Sequence, residues 1–106
     1  MTEVSRGVAV APEIDGATRT LELGYVIHPA ARGRGVATES LRQLTDWAFA
    51  ELEPRRIQLI ISPENGASKR VAERNGYRYE GTLRSIHVKQ DVWGDAEIWS
   101  RLPSDR

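Results

Sequence analysis

The chain has 106 residues, 40% of them apolar and 28% charged, which bounds it to one small domain of ordinary globular composition. Fifteen basic and fifteen acidic residues cancel, so no global field draws in nucleic acid or an anionic membrane. Cysteine is absent, which excludes disulfides, thiolate metal sites and a cysteine nucleophile.

The opening Met1-Thr2-Glu3-Val4-Ser5-Arg6 lacks the basic start and apolar run of a signal peptide. No stretch approaches the roughly 20 apolar residues of a membrane helix. The expectation is a soluble cytoplasmic protein without a metal.

Val4 to Ala11 reads as a first strand, and Pro12 to Gly16 as a turn whose Asp15-Gly16 is a hairpin signal. A second strand is predicted from about Thr18 to His28. Leu21, Leu23, Tyr25 and Ile27 fall on one face, and Glu22, Gly24, Val26 and His28 on the other. Gly24 weakens such a strand and marks either a bulge or a close backbone approach. Pro29 ends it.

Helical spacing follows in Ala37, Leu41, Leu44, Ala48 and Leu52. Pro54 stops that helix at Glu53. Arg56 to Ile61 is a strand, and its run Leu59-Ile60-Ile61 predicts burial on both faces. Strand, helix and strand together make a βαβ unit with a parallel pair. After a polar turn over Ser62 to Gly66, a short helix from about Ala67 to Asn75 ends on Gly76 as a left-handed cap. Tyr77 to Lys89 and Val92 to Leu102 form a hairpin that turns near Gln90-Asp91. The fold class is α/β (α+β), with a mixed central sheet and one domain over residues 1–106.

The segment with the most chemical content is Arg32-Gly33-Arg34-Gly35-Val36-Ala37. Gly33 and Gly35 let the backbone turn tightly and approach a ligand without a Cβ in the way. The first N–H groups of the helix lack internal partners, and the positive end of its dipole favours a phosphate. Arg32 and Arg34 add charge and bidentate contacts. A glycine-rich turn with no ligand has the same local sequence, so this segment alone leaves both readings open. A Walker loop is excluded, because Val36-Ala37 stand where Lys-Ser/Thr belongs. A dinucleotide fingerprint is excluded by Thr38 at its third glycine position and by Ser62-Pro63 where an acidic residue would sit.

The same segment resembles the Q/R-x-x-G-x-G/A signature of the GNAT acyltransferases. Three further segments resemble the RimJ/RimL branch of that superfamily: Leu21-Glu22-Leu23-Gly24-Tyr25-Val26-Ile27 ahead of Pro29, Asn65-Gly66-Ala67-Ser68-Lys69-Arg70-Val71-Ala72-Glu73-Arg74-Asn75-Gly76-Tyr77, and Tyr79-Glu80-Gly81. The resemblance runs from about Leu21 to the C-terminus. It implies a GNAT-like fold and an acetyl-CoA-binding part over about residues 18–102. It also implies a chain lacking the N-terminal strand and helices that wall the acceptor site, with Met1 to Ala11 as a middle strand of the sheet.

Several roles follow from the resemblance. Arg32, Gly33, Arg34, Gly35, Val36 and Ala37 would hold the acetyl-CoA pyrophosphate. The backbone of Val26 and Ile27 would pair with the pantetheine arm, one amide polarising the thioester carbonyl. Asn65 would contact the pantetheine arm or simply cap its helix. Ser68 would lie near the thiol as proton donor to the leaving thiolate. Lys69 and Arg70 read as an exposed helix face, and Tyr77 and the tryptophans as core. The attacking amine must lose a proton. Glu22, facing away from Leu21 and Leu23, is the candidate base; a solvated or salt-bridged strand carboxylate is the other reading, and His28 and His87 are further candidates.

The implied activity is transfer of an acetyl group from acetyl-CoA to a primary amine by direct attack. The acceptor would be a protein N-terminus or a small-molecule amine. The alternative is a non-catalytic acyl-CoA-binding module. An incomplete sheet would also need a homodimer or a partner chain to cover it.

Overall fold

The computed structural model describes residues 3–5, 8–27, 35–89 and 91–105, with 3–14, 24–27 and 87–89 described through the backbone. In chain order these are β1 (Glu3–Ser5), β2 (Val8–Ile14), β3 (Thr20–Ile27), α1 (Val36–Glu51), β4 (Arg56–Ile61), α2 (Gly66–Arg74), β5 (Arg78–Lys89) and β6 (Val92–Arg101). The strands form one six-stranded mixed sheet in the order β1-β2-β3-β4-β6-β5. Only β3 and β4 pair in parallel, which is the βαβ unit expected around α1.

Two local expectations fail at the start of the chain. The single strand over Val4 to Ala11 is instead the antiparallel pair β1 and β2, with Ser5 opposite Val8. β1 therefore lies at the sheet edge and β2 beside it, rather than as one middle strand. Pro12 is not in the turn: it pairs with Leu23 inside the β2–β3 ladder. Among the described residues β1 reaches only to Glu3 opposite Val10, so the missing N–H of Pro12 interrupts no described pairing on the outer side of β2. The turn begins at Asp15, whose Oδ1 accepts the Ala17 and Thr18 N–H groups at 2.8 and 3.1 Å.

The core lies between one sheet face and the two helices. Alternation on β3 and β4 sends Leu21, Leu23, Ile57 and Leu59 inward, each at most 1% exposed, against Leu41 and Ala48 of α1 and Ala72 of α2, all 0% exposed. Burial of each large aliphatic side chain contributes about 1.5–3 kcal/mol. The other face of β4 is not covered: Arg56 and Gln58 are half-buried and Ile60 is exposed among the described residues. The expected two-sided burial of β4 is thus corrected. The apolar run is an ordinary alternation with an isoleucine on its outer face.

α1 stops at Glu51, two residues short of the expected end. Glu53 adopts a left-handed φ of 47° ahead of Pro54. The Arg19 guanidinium donates to the last carbonyls, those of Leu52 and Glu53, satisfying acceptors that the helix itself leaves open. Gly76 has the expected left-handed φ of 78° after α2. Asn75 ties α2 to α1, its Nδ2 donating to Val71 O at 2.9 Å and Thr38 O at 3.1 Å.

Tyr77 is core, as expected, and its hydroxyl is satisfied by Thr45 at 2.7 Å. Burial pushes the phenol up to about 12, the Thr45 hydrogen bond opposing that shift. Below about pH 10 the phenol is neutral in folded and unfolded chains alike, and its stabilising contribution is complete. From about pH 10 to 12 only the unfolded chain ionises, so stability is expected to fall by about 2–3 kcal/mol. Urea denaturation across that window should record the decline, and Tyr77→Phe should flatten it. An unchanged alkaline slope in the variant would refute the assignment.

Candidate functional site

β3 and β4 run in parallel register from Thr20–Arg56 to Leu23–Leu59. Beyond that point both strands continue, β3 to Ile27 and β4 to Ile61, with no pairing between them among the described residues. β4 turns its remaining hydrogen bonds to β6, Ile60 opposite Ile98 and Ile61 opposite Glu97. β3 keeps its ladder with β2, Gly24 opposite Ala11 and Ile27 opposite Val8, without a register shift. Gly24 is therefore not a bulge. It marks where β3 leaves β4, and the β4-facing backbone of Gly24 to Ile27 has no strand partner among the described residues.

The helices enter at this opening because each follows the carboxyl end of one of the two parting strands, where open α/β sheets place their ligands. α1 starts at Gly35, which takes a left-handed φ of 70° and gives the helix no side-chain cap. The first amides, those of Val36 and Ala37 among them, lack helical acceptors. Ala37 is buried and Val36 half-buried, so the donors are anchored to the core. The one acidic side chain in the first turn, Glu39, is engaged: Arg42 Nε donates to its Oε2 at 2.8 Å. That hydrogen bond, foremost, holds the Glu39 carboxyl below the usual carboxylate range. Its negative charge is offset by the arginine beside it. Arg32, Gly33, Arg34 and His28 lie outside the described residues.

At the start of α2, Asn65 is the N-cap, its Oδ1 accepting the Ser68 N–H at 3.1 Å. The capping reading of Asn65 is therefore realised, and such a cap contributes about 1 kcal/mol. Ser68 is 4% exposed, in the first turn. Lys69 departs from expectation: its Nζ donates to Pro63 O at 2.6 Å and pairs with Glu97 at 3.3 Å. Glu97 also accepts the Trp99 indole N–H at 3.0 Å. Lys69 thus belongs to a half-buried polar cluster under α2, not to an exposed helix face. Arg70 is exposed, as expected. Trp99 is core, but Trp93 is 65% exposed because the far end of the β5–β6 hairpin runs past β4. That corrects its expected place in the core.

Glu22 sits one residue before the strands part, half-buried on the sheet face away from the helices. Gln58 Nε2 donates to its Oε1 at 2.8 Å, and no ion pair to it is formed among the described residues. The Gln58 oxygen in turn accepts from Arg56, Nε at 3.2 Å and Nη2 at 2.9 Å. Arg56 pairs with Glu80 at 2.7 Å, and hydrogen bonds from Arg56 and Ser100 hold the Glu80 carboxyl low. Sequence reasoning missed this row of polar side chains. Its signal was the alternation of Arg56 and Gln58 with Ile57 and Leu59, hidden by the apolar run that follows.

The sheet with two parting parallel strands, and a helix whose uncapped start stands at the gap, is an architecture for holding a phosphate-bearing extended ligand. Residues 2–78 match the Acetyltransferase (GNAT) domain family. The chain is 37% identical to the probable N-acetyltransferase YjcK of Bacillus subtilis over 87% of its own length and 51% of that protein. It is 35% identical to the putative ribosomal N-acetyltransferase YdaF of the same organism, over 91% and 52%. Among solved structures it resembles Mycobacterium smegmatis RimJ in complex with CoA-disulfide, with a TM-score of 0.82 at 26% identity, covering 92% of this chain and 47% of that one. It also resembles the microcin C7 self-immunity acetyltransferase MccE in complex with acetyl-CoA and AMP, with a TM-score of 0.78 at 25% identity, over 90% and 52%. The chain belongs to the GNAT acetyltransferase family, with RimJ-like relatives. It spans about half the length of the curated relatives it matches.

Proposed function

We propose that this chain is an N-acetyltransferase that moves an acetyl group from acetyl-CoA to a primary amine by direct attack. The observation that carries the reading is the parting of β3 and β4 after Leu23 and Leu59, with the uncapped start of α1 at the same end of the sheet. The pyrophosphate would sit on the Gly35, Val36 and Ala37 amides, enclosed by Arg32, Gly33 and Arg34. The pantetheine arm would follow the open backbone of Val26 and Ile27 toward Asn65 and Ser68. Asn75 joins the far end of α2 to the start of α1. The nine residues of α2 then set Asn65 about 13 Å from that end, a span suited to the arm between pyrophosphate and thioester.

In the reaction the amine nitrogen attacks the thioester carbon, aided by an amide at the gap that polarises the carbonyl oxygen. Glu22 takes the proton released from the amine, directly or through one water. The C–S bond then breaks, and the thiolate of CoA receives a proton from Ser68. The proton held on Glu22 returns through solvent to the Ser68 oxygen. The net change is one acetyl group from sulfur to nitrogen and one proton from the amine to the CoA thiol, and no covalent enzyme intermediate forms. The acceptor class is a protein N-terminus or a small amine: relatives include a ribosomal-protein-serine acetyltransferase and a spermidine N(1)-acetyltransferase, both of Escherichia coli. The setting is cytoplasmic. A second copy or another chain would cover the outer surface, where Leu83, Ile86, Val92 and Trp93 are exposed.

Calorimetry with acetyl-CoA, followed by CoA-thiol release over a panel of peptides and polyamines, tests the reading. Binding with turnover is expected, and sedimentation of the same sample is expected to read a dimer or a complex. Binding without turnover would leave a non-catalytic acyl-CoA module. No binding at all would refute both.

A further inference from the structure

Gln58 has its orientation dictated from both ends. An arginine only donates, so with Arg56 Nε and Nη2 at 3.2 and 2.9 Å from it the Gln58 side-chain oxygen faces Arg56. The amide nitrogen must then face the other way, and it donates to Glu22 Oε1 at 2.8 Å. Arg56 is itself fixed by Glu80 at 2.7 Å. The row Glu80, Arg56, Gln58, Glu22 therefore crosses from β5 through β4 to β3, on the sheet face away from the helices. Arg56 Nε and Nη2 and Gln58 Nε2 each have a defined acceptor in it.

We propose that Gln58 is a positioning residue for acetyl transfer, holding the Glu22 carboxylate as an acceptor with Oε1 occupied and Oε2 left for the amine. This rests on the reading of Glu22 as the base. The hydrogen bond from the Gln58 amide fixes which carboxylate oxygen is engaged. It also removes the rotational freedom of a side chain whose oxygen must meet the nitrogen within hydrogen-bond reach. The charged positions around Glu22 are Glu13, its register partner on β2, and Arg56 with Glu80 on the β4 side. Arg56 is joined to Glu22 through the Gln58 side chain, and its own charge is paired with Glu80. Beyond the backbone ladder, Gln58 supplies the one side-chain hydrogen bond between Glu22 and β4 among the described residues.

Gln58→Met keeps the length of the side chain and removes its three hydrogen bonds. In the full chain it is expected to lower kcat roughly tenfold while KM for acetyl-CoA stays within about twofold, with an unchanged far-UV spectrum and melting point. Gln58→Glu, which still accepts from Arg56 but sets a carboxylate against Glu22, should be at least as impaired. Glu22→Gln is expected to lose about a hundredfold in kcat. In that background Gln58→Met should cost nothing further, a coupling that a merely structural role would not give. Full turnover in Gln58→Met beside a crippled Glu22→Gln, or additive losses in the double variant, overturns the positioning role alone. Full turnover in Glu22→Gln, or none in the parent chain, overturns the base reading and this inference with it.

Discussion

Replacing Gly35 by glutamate is expected to abolish acetyl-CoA binding while leaving the fold intact. Gly35 holds a left-handed φ of 70° at the start of α1, and among the described residues no atom lies within 4 Å of where its Cβ would be. A Cβ there meets none of the described residues. The cost to the fold is backbone strain of about 1–2 kcal/mol, within the stability of a domain this size. The cost to binding is larger. The carboxylate would lie against the same amides and dipole that the pyrophosphate requires, as a tethered competitor of like charge. Titration calorimetry should show affinity reduced by at least about a hundredfold. Gly35→Ala separates the two effects, since it carries the strain without the charge and should bind within a few-fold of the parent. Gly16→Glu, in an exposed turn also open around its Cβ, is the control for added charge. Parent-like affinity in Gly35→Glu would mean that the phosphates bind elsewhere.

The local elements were legible in the residues because local rules govern them. The stripe Ala37, Leu41, Leu44 and Ala48 is buried as its spacing demands, and Gly76 has the conformation its place after α2 required. What escaped the sequence was decided by distant partners. Whether the outer face of β4 is covered depends on what packs above it, and three consecutive apolar residues carry no record of that. Pro12 reads as a turn residue until its strand is seen to run on through it opposite Leu23 of β3. Lys69 reads as a surface lysine until Glu97, arriving on the last strand, supplies a counter-charge. The insertion of β6 between β4 and β5 sets that strand against β4, and with it the buried side of Trp99.

The site divides along the same line. The local geometry at Gly35, Asn65 and Glu22 was legible because near neighbours set it: a left-handed turn, a cap, and a carboxylate on the outward side of an alternating strand. The contacts of Gln58 were not, because they exist only once β3 and β4 pair and bring it opposite Glu22. A glutamine on a strand has no chemistry of its own to advertise. Its meaning here comes from Arg56 on one side and Glu22 on the other.

Leu41→Ala is expected to be the most destabilising substitution in α1, and acetyl-CoA is expected to reverse most of its effect. Leu41 is 0% exposed at the centre of the helix–sheet core. Truncation there costs about 3 kcal/mol through lost burial and the cavity left behind. Against a total of about 5–15 kcal/mol for a domain of this kind, that should lower the melting temperature by about 10–20 °C. Gln43→Ala, on the exposed side of the same helix, should stay within about 0.5 kcal/mol of the parent. The same helix carries Leu41 in the core and the Gly35 turn at its start, so ligand binding and folding are linked. Acetyl-CoA at about a hundredfold over its Kd should return about 2.7 kcal/mol to both the parent and Leu41→Ala. Gly35→Glu should gain at most about 0.4 kcal/mol at that concentration. Thermal melts of the parent and both variants, each with and without acetyl-CoA, check this together. Equal ligand-induced shifts in parent and Gly35→Glu would separate the start of α1 from the binding site. A small loss in Leu41→Ala would mean that the helix does not rest on β3 and β4 as described.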